Sequence, residues 1–246
     1  MPQDYEIHDL GDVRLQRGAT LRDCKLAYKT FGKLNAAKDN AIVYPTWYSG
    51  QHYDNEWLVG SGMALDPANY FIIIPNMLGN GLSSSPSNTP EPYNGSRFPL
   101  RAMARVYAGW GFSQAFYRER LDLERLGYSS LEDFLVAFWE GFFLPKDANN
   151  LLTMLWTWQN GDISDNELYN SDFKKALGAI KAKAYVMPGQ TDLYFPPEDS
   201  QFEVANMPNA KFLPVPSIWG HFAGGPGTNP DDVKFLDTAL KELLGS

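Results

Sequence analysis

The chain has 246 residues, a length that can bury a full hydrophobic core, and we expect one α/β core with a helical insert. Its formal net charge of −8 argues against a nucleic-acid partner, because such proteins need clustered Lys and Arg to displace phosphate counterions. The single cysteine, Cys24, excludes an intrachain disulfide and a cysteine-based metal cluster.

The N-terminus and the apolar stretches bear on targeting. Met1 to Glu6 is polar and acidic, without the basic start and apolar run of a secretory signal. The longest apolar stretches, such as Phe71 to Ile74, are far shorter than the roughly 20 residues that span a bilayer. We therefore expect a cytoplasmic protein without a membrane partner.

Three segments in the first third of the chain predict strands. Cys24 to Phe31 alternates in polarity, which is typical of a half-exposed antiparallel strand, and we expect it at a sheet edge. Ala41 to Tyr44 and Tyr70 to Pro75 are continuous apolar runs, which indicate strands buried on both faces of a parallel sheet. Asp54 to Met63, between these two strands, has room for a short crossover helix.

The middle of the chain changes character. A loop rich in Gly, Ser, Pro and Asn runs from Gly79 to Pro99, and a loop of about 20 residues inside a compact domain is usually functional. Arg101 to Ile180 then places apolar residues at spacings of three and four, which predicts helices. Its many aromatic residues pack into a core, line an acyl pocket, or do both on different faces.

The strand pattern returns near the C-terminus. Ala184 to Met187 and Phe212 to Val215 are short apolar runs, and Asp231 to Leu244 is an amphipathic helix. We expect the buried strands to share one mostly parallel sheet, short of central strands. The predicted parts of the fold are the first part of an α/β core at residues 1–100, a helical cap at 101–180 and the second part of the core at 181–246.

Two residues form a candidate acid–base pair. Asp192 directly follows a predicted strand, and His221 comes 29 residues later in a Gly-flanked loop, which is the order in which an α/β-hydrolase supplies its acid and then its base. Taken singly, Asp192 could cap the turn at Pro196 and His221 could be an ordinary loop histidine. Taken as an ordered pair, they predict the acid–base relation.

The serine nucleophile that such a pair would activate has no recognisable position. The chain contains no Gly-x-Ser-x-Gly pentapeptide, the strained turn that exposes the serine in these enzymes. Ser49, Ser61 and Ser113 have a neighbouring Gly without the flanking pattern of an elbow, and a lone Cys24 is typical of a packed structural thiol. The nucleophile therefore remains unassigned.

The loop after Ala41 to Tyr44 has the position from which α/β-hydrolases offer one oxyanion-hole N–H. We expect the backbone amide of Trp47 to be this donor, with Thr46 beside it. His52, further along the loop, could be a second base, although a histidine in a polar loop is more often solvated.

Four stretches carry a resemblance to a known family: Leu26 to Gly32, Asp66 to Ser85, Pro188 to Asp192 and Trp219 to His221. They resemble the homoserine O-acetyltransferase family of α/β-hydrolases, and the esterase-like branch of that family in particular. The resemblance implies an α/β-hydrolase fold with Asp192 as the triad acid, His221 as the triad base and Trp47 as an oxyanion donor.

The chain departs from the family pattern at two places. Leu100 runs directly into the cap-like sequence at Arg101, where the family has its nucleophile strand and elbow, which implies that a central block on the order of a hundred residues is absent. Phe222 directly follows the predicted base. The resemblance implies an Asp at this position in the members that acetylate homoserine. Since Phe222 cannot pair with an ammonium group, we expect it to be a substrate-binding residue like that of the ester-hydrolysing branch.

Three functions follow from these patterns. The first is an acyltransferase or esterase of this lineage, impaired without its nucleophile, with a small acyl ester or acyl-CoA type substrate, no cofactor, no metal and a homodimer formed through the cap helices. The second is a non-catalytic shortened homologue that serves as a binding or oligomerisation module. The third, the weakest, is an active enzyme that uses Ser49 or Cys24 as its nucleophile.

Overall fold

A computed structural model of the chain describes residues 3–15, 20–89, 97–225 and 227–245. By its internal contacts the chain falls into two compact units. The first unit comprises Met1–Ser96 and Lys146–Gly161, and the second comprises Arg97–Pro145 and Asp162–Ser246. The division into 1–100, 101–180 and 181–246 stays a prediction.

The first unit contains a four-stranded mixed sheet in the order β1-β2-β4-β3. Antiparallel pairing joins β1 to β2 and β2 to β4, and parallel pairing joins β3 to β4. The strands are β1 (Glu6–Arg14), β2 (Thr20–Phe31), β3 (Ala41–Val43) and β4 (Phe71–Pro75).

Two expectations about these strands are wrong. The strand over Cys24 to Phe31 exists, but it lies inside the sheet rather than at its edge, because β1 covers it. The residues of β1 are mostly exposed, so no apolar run marks that strand in the sequence. The expected burial of β3 on both faces also fails, because β3 is an edge strand whose Val43 is 62% exposed.

The helical part of the connection between β3 and β4 is shorter and begins earlier than the predicted crossover helix at Asp54 to Met63. It consists of α1 (His52–Asn55) and one 3₁₀ turn at Glu56–Leu58. A reciprocal capping interaction fixes the start of α1, since the Asp54 carboxylate accepts a 2.8 Å hydrogen bond from the Gln51 amide. The predicted start at Asp54 therefore falls inside the helix.

The middle of the chain is helical, as predicted. From Arg97 to Gly178 every regular element of the described residues is a helix, and one of them is a π-helical segment at Leu135–Glu140. No helix among the described residues is long and apolar enough to cross a membrane. The predicted loop from Gly79 to Pro99 is described as far as Thr89, residues 90–96 lie outside the described residues, and the first helix begins at Arg97. The helices are α2 (Arg97–Gly111), α3 (Gln114–Arg118), α4 (Leu121–Glu124), α5 (Leu131–Phe134), α6 (Gly141–Phe143), α7 (Ala148–Asn160) and α8 (Phe173–Gly178).

The C-terminal part of the chain forms a separate two-stranded parallel sheet. Its strands are β5 (Ala184–Val186) and β6 (Ala210–Phe212), joined through α9 (Pro197–Ala205). A parallel bridge between Gly189 and Val215 extends the pairing beyond the strands. The helix α10 (Pro230–Leu244) follows, at the position predicted for Asp231 to Leu244.

The expectation of one sheet is therefore only partly right. Residues 41–43 and 71–75 pair directly, whereas residues 184–186 pair with 210–212 and not with the first sheet. No strand of the described residues joins the two sheets.

Five aromatic residues of the predicted cap belong to the buried core: Phe112, Phe116, Phe134, Trp139 and Phe143. Phe112 stacks on Phe116 with ring centroids 4.0 Å apart, and both side chains are at most 1% exposed. Phe134 and Trp139 are fully buried in the same cluster. Packing of this kind is worth more than burial alone, because offset rings also attract each other electrostatically.

Candidate active site

Asp192 and His221 meet at the carboxyl ends of two adjacent parallel strands. Asp192 follows β5 and His221 follows β6, so both loops leave the same edge of the sheet. The Nδ1 atom of His221 lies 3.0 Å from the Oδ2 atom of Asp192. This distance confirms that the two side chains are within hydrogen-bond reach.

The carboxylate of Asp192 is held rigidly by its own turn. Its Oδ1 atom accepts hydrogen bonds from the amides of Tyr194 at 2.7 Å and Phe195 at 3.2 Å, and its side chain is only 7% exposed. The alternative role of Asp192 as a turn cap is thus also observed. The two roles coexist, because one oxygen caps the turn while the other faces His221.

The two ring nitrogens of His221 have different surroundings: Nδ1 contacts Asp192, and Nε2 has no hydrogen-bond partner among the described residues. Because a carboxylate can only accept, the contact with Asp192 places the ring proton on Nδ1. The Nε2 atom makes no hydrogen bond to any residue that the structure describes. The ring centroid lies 4.9 Å from that of Tyr194 and 5.5 Å from that of Phe195, and the side chain is 29% exposed. This arrangement leaves Nε2 able to accept a proton.

The surroundings of the pair are apolar or neutral. Burial is the main cause that raises the pKa of Tyr194 to about 12, so its phenol stays neutral at physiological pH. Phe222 stacks on Phe112, with centroids 4.6 Å apart, and meets Trp139 edge-on. The predicted substrate-binding position Phe222 therefore belongs to an aromatic cluster and carries no charge.

The predicted oxyanion loop lies in the first unit. The Thr46 amide donates to the Pro75 carbonyl at 3.2 Å, and the Thr46 hydroxyl accepts from the Met77 amide at 3.0 Å. By contrast, the Trp47 amide makes no hydrogen bond to another described residue. Of the two predicted positions, only Trp47 has a backbone N–H left to offer to an oxyanion.

Comparison with known proteins assigns the lineage. No family profile matches the chain. An ethyl acetate hydrolase from Pseudomonas veronii is 32% identical over 337 aligned positions, which cover 98% of this chain and 96% of that protein. The chain belongs to the esterase branch of the homoserine O-acetyltransferase family of α/β-hydrolases. The alignment is longer than this chain of 246 residues, so part of the relative has no counterpart in it.

Two further comparisons agree with this assignment to the family. The crystal structure of an acetylester hydrolase from Corynebacterium glutamicum is 29% identical and has a TM-score of 0.91, covering 98% of this chain and 96% of that one. A homoserine O-acetyltransferase from Chlorobium chlorochromatii is 35% identical over 150 residues, which cover 56% of this chain and 40% of that protein. The α/β-hydrolase fold is thereby shown.

His52 is buried rather than solvated, which corrects the expectation for a histidine in a polar loop. Its side chain is 1% exposed, Nε2 lies 3.1 Å from a carboxylate oxygen of Asp4, and Nδ1 lies 3.3 Å from the Asn76 amide nitrogen. Both ring nitrogens are thus engaged, so His52 lacks the open nitrogen of a base. Asp4 precedes β1, far from His52 in the chain, so no local pattern could reveal the contact.

The surroundings of His52 contain carboxylates at a spacing that a metal could use. Ligand atoms of Asp4, His52 and Glu56 lie within 4.8 Å of one another. The ammonium of Lys29 lies 2.8 Å from Asp4 and 2.6 Å from Glu56. This lysine supplies the positive charge that the two carboxylates need.

The candidate nucleophiles differ in burial and in their structural roles. Ser113 caps α3, since its Oγ accepts from the Phe116 amide at 3.1 Å and donates to the Ile218 carbonyl. Cys24 is fully buried in β2, and Ser61 is exposed in a turn. Ser49 has a positive φ of 64°, but it is only 6% exposed.

Proposed function

We propose that this hydrolase carries the acid and the base of a site for acyl-ester hydrolysis or acyl transfer, and that it is impaired as it stands because it lacks the nucleophile serine. The supporting observation is the bond between Asp192 and the Nδ1 atom of His221, with Nε2 unbonded among the described residues. Such a pair serves a serine nucleophile, and the sequence contains no Gly-x-Ser-x-Gly elbow that would present one.

The chemistry assigns one task to each residue. His221 would accept the proton of an attacking hydroxyl at Nε2 and return it to the leaving alcohol, while Asp192 keeps the ring in the required tautomer and stabilises the imidazolium. The Trp47 amide would donate to the oxyanion. The second oxyanion donor in α/β-hydrolases is the amide of the residue after the nucleophile, so losing the elbow removes two catalytic elements together.

The substrate class that fits best is a small uncharged acyl ester, with an acyl-CoA type donor as the transferase variant. Phe222 and the neutral Tyr194 supply no negative charge to pair with the ammonium group of an amino acid. The relatives named as ethyl acetate hydrolase and acetylester hydrolase act on esters of this size. The buried Cys24 and the absence of a disulfide fit a cytoplasmic location.

Two observations support the loss of a central block on the order of a hundred residues, a size inferred from usual domain lengths. The alignment with the P. veronii enzyme contains positions without counterpart in this chain. In addition, β3 ends the first sheet at an edge with Val43 exposed, although its sequence is that of an interior parallel strand.

A binding or oligomerisation role is the second candidate. The helix α7 exposes large apolar side chains to solvent, with Leu152 62% exposed and Trp156 55% exposed. Exposed apolar patches mark interaction sites more often than single exposed residues do. A homodimer formed through the cap helices would use such a surface and would require no nucleophile.

The test compares the chain as it stands with the chain into which the central segment of the P. veronii relative is inserted between Leu100 and Arg101. Each form is treated with a fluorophosphonate probe and an activated acetyl ester, and His221→Ala is the control in both. We expect no labelled serine in the first form, and labelling of the inserted serine that depends on His221 in the second. Labelling of Ser49, Ser61 or Ser113 that His221→Ala abolishes would refute the proposal, and a folded but inactive second form would favour the binding role.

A further inference from the structure

Two side chains outside the loop that carries His221 hold this loop by hydrogen bonds. This loop, residues 217–224, follows β6 and turns sharply before α10. Asp232 forms hydrogen bonds at the two ends of the loop, and Thr191 forms one in its middle. The side chains of Asp232 and Thr191 bond to Ser217, Gly220 and Gly224 rather than to the His221 ring, so both would act through the backbone of the loop.

Asp232 lies in the first turn of α10 and is 4% exposed. Its Oδ2 atom accepts hydrogen bonds from the Ser217 hydroxyl at 2.9 Å and from the Gly224 amide at 3.0 Å. The Ser217 hydroxyl in turn accepts from the Trp219 amide at 3.2 Å. A carboxylate so deeply buried needs such donors, and the N-terminal end of a helix also favours its negative charge.

Thr191 connects the loop of the acid to the loop of the base. Its hydroxyl donates to the Ser217 carbonyl at 3.1 Å and accepts from the Gly220 amide at 3.2 Å. Since Thr191 directly precedes Asp192 and Gly220 directly precedes His221, this one hydroxyl ties together the backbones of the two functional residues. The Thr191 hydroxyl therefore constrains the distance between the Asp192 carboxylate and the His221 imidazole at the residues that directly precede them.

Gly220 leaves the loop little freedom at this point. Its φ is +63°, and a β-carbon there would lie 2.7 Å from the Ser113 amide nitrogen. The loop thus passes close to the start of α3 in a left-handed conformation that favours glycine. The backbone of residues 111–113 therefore confines the loop at Gly220.

We propose that Asp232 and Thr191 are positioning residues of His221: they hold the loop so that Nδ1 faces Asp192 and fixes the tautomer of the ring. The proposal rests on the proposed role of His221 as a base. It predicts a property of the folded chain that exists without a nucleophile. The tautomer of an imidazole is set by the hydrogen bonds of its nitrogens, so it reports directly on this fastening.

The experiment observes His221 by NMR in the chain as it stands, with ¹⁵N-labelled histidine. The chain has three histidines, and a His221→Gln variant assigns the signal. At a pH where the ring is neutral, we expect one tautomer with the proton on Nδ1. In Asp232→Ala and in Thr191→Val we expect a mixture of tautomers and an Nδ1–H that exchanges with solvent roughly tenfold faster, as the loss of one hydrogen bond implies.

Matched variants separate positioning from general stability. Thr191→Ser keeps the hydroxyl and should restore the native tautomer, and Asp231→Asn removes a charge from the same turn at an exposed position and should leave the His221 signal unchanged. A lower melting temperature without a change of tautomer would show a merely structural role and overturn the proposal. If Asp232→Ala does not fold, Thr191→Val against Thr191→Ser decides alone. Ester turnover and probe labelling test the function separately from this signal.

Discussion

Gly189 packs against the carbonyl of Gly220 so closely that a β-carbon on residue 189 would lie 2.5 Å from that oxygen. Gly189 begins the turn that presents Asp192, whose amide donates to the Gly189 carbonyl at 3.0 Å. Gly220 directly precedes His221. The contact between the two glycines therefore sets how near the turn of the acid comes to the turn of the base.

Gly189→Ala should destabilise the protein and separate the pair. The added methyl group cannot fit without a backbone shift, and overpacking of this kind costs about 1–3 kcal/mol. Urea unfolding should show the loss, and the NMR signal of the His221 Nδ1–H should broaden or disappear. Gly225→Ala, directly after the loop of His221, is the control, because a β-carbon there meets nothing within 4 Å. Equal unfolding midpoints for the two variants would contradict the prediction.

Ser113→Ala should lower stability through the loss of a helix cap. The Ser113 hydroxyl accepts from the Phe116 amide and donates to the Ile218 carbonyl, so the variant leaves two buried backbone groups without this partner. A lost cap typically costs about 1 kcal/mol, and the second bond adds about as much. Ser130→Ala removes only a cap, at an exposed position, and should cost less. A smaller effect at Ser113 than at Ser130 in thermal unfolding would contradict this assignment.

The acid–base geometry was predictable from the sequence because it depends on short-range order. Asp192 and His221 each follow a parallel strand within a few residues, so their order along the chain is enough to bring them to one edge of a sheet. Their catalytic roles remain predictions. The role of Trp47 is also a prediction, which is supported by a backbone amide that makes no hydrogen bond to another described residue.

The failures of prediction share a different physical cause. The edge position of β3 depends on which strand lies beside it, and its apolar sequence is that of a covered strand. The burial of His52 depends on Asp4, which the chain brings in from before β1. The positioning residues Asp232 and Thr191 also contact residues distant from them in the chain. In the sequence alone, an Asp in the first turn of a helix cannot be told from an ordinary helix cap.

Tyr44→Phe should make the stability less dependent on pH in the alkaline range. Burial raises the pKa of Tyr44 from 10.0 to about 12. Below pH 10 the phenol is neutral in both states and its contribution is fully present, and between pH 10 and 12 the unfolded chain ionises first, so stability is lost as pH rises. Urea midpoints at pH 9 and pH 11 should therefore fall further apart in the parent than in Tyr44→Phe. An equal fall in both would contradict the burial of this hydroxyl.

The edge of β3 should cause self-association of the chain at high concentration. Because the Asn40 carbonyl and the Tyr44 amide bond to β4, the alternate residues Ala41 and Val43 direct their backbone groups away from it. The opposite edge, β1, has register shifts on both sides of Gly11, and such irregularities protect an edge from pairing.

Val43→Lys places a charge on the open edge and should shift the sedimentation profile toward the monomer. Ile7→Lys introduces the same side chain on β1, where Ile7 is also exposed, and should leave association unchanged. Insertion of the relative's central segment after Leu100 should suppress association as Val43→Lys does, if that segment supplies the strand that covers β3. Association that persists in Val43→Lys and falls in Ile7→Lys would show that β1 is the adhesive edge, and would remove the open edge of β3 as support for a missing central block.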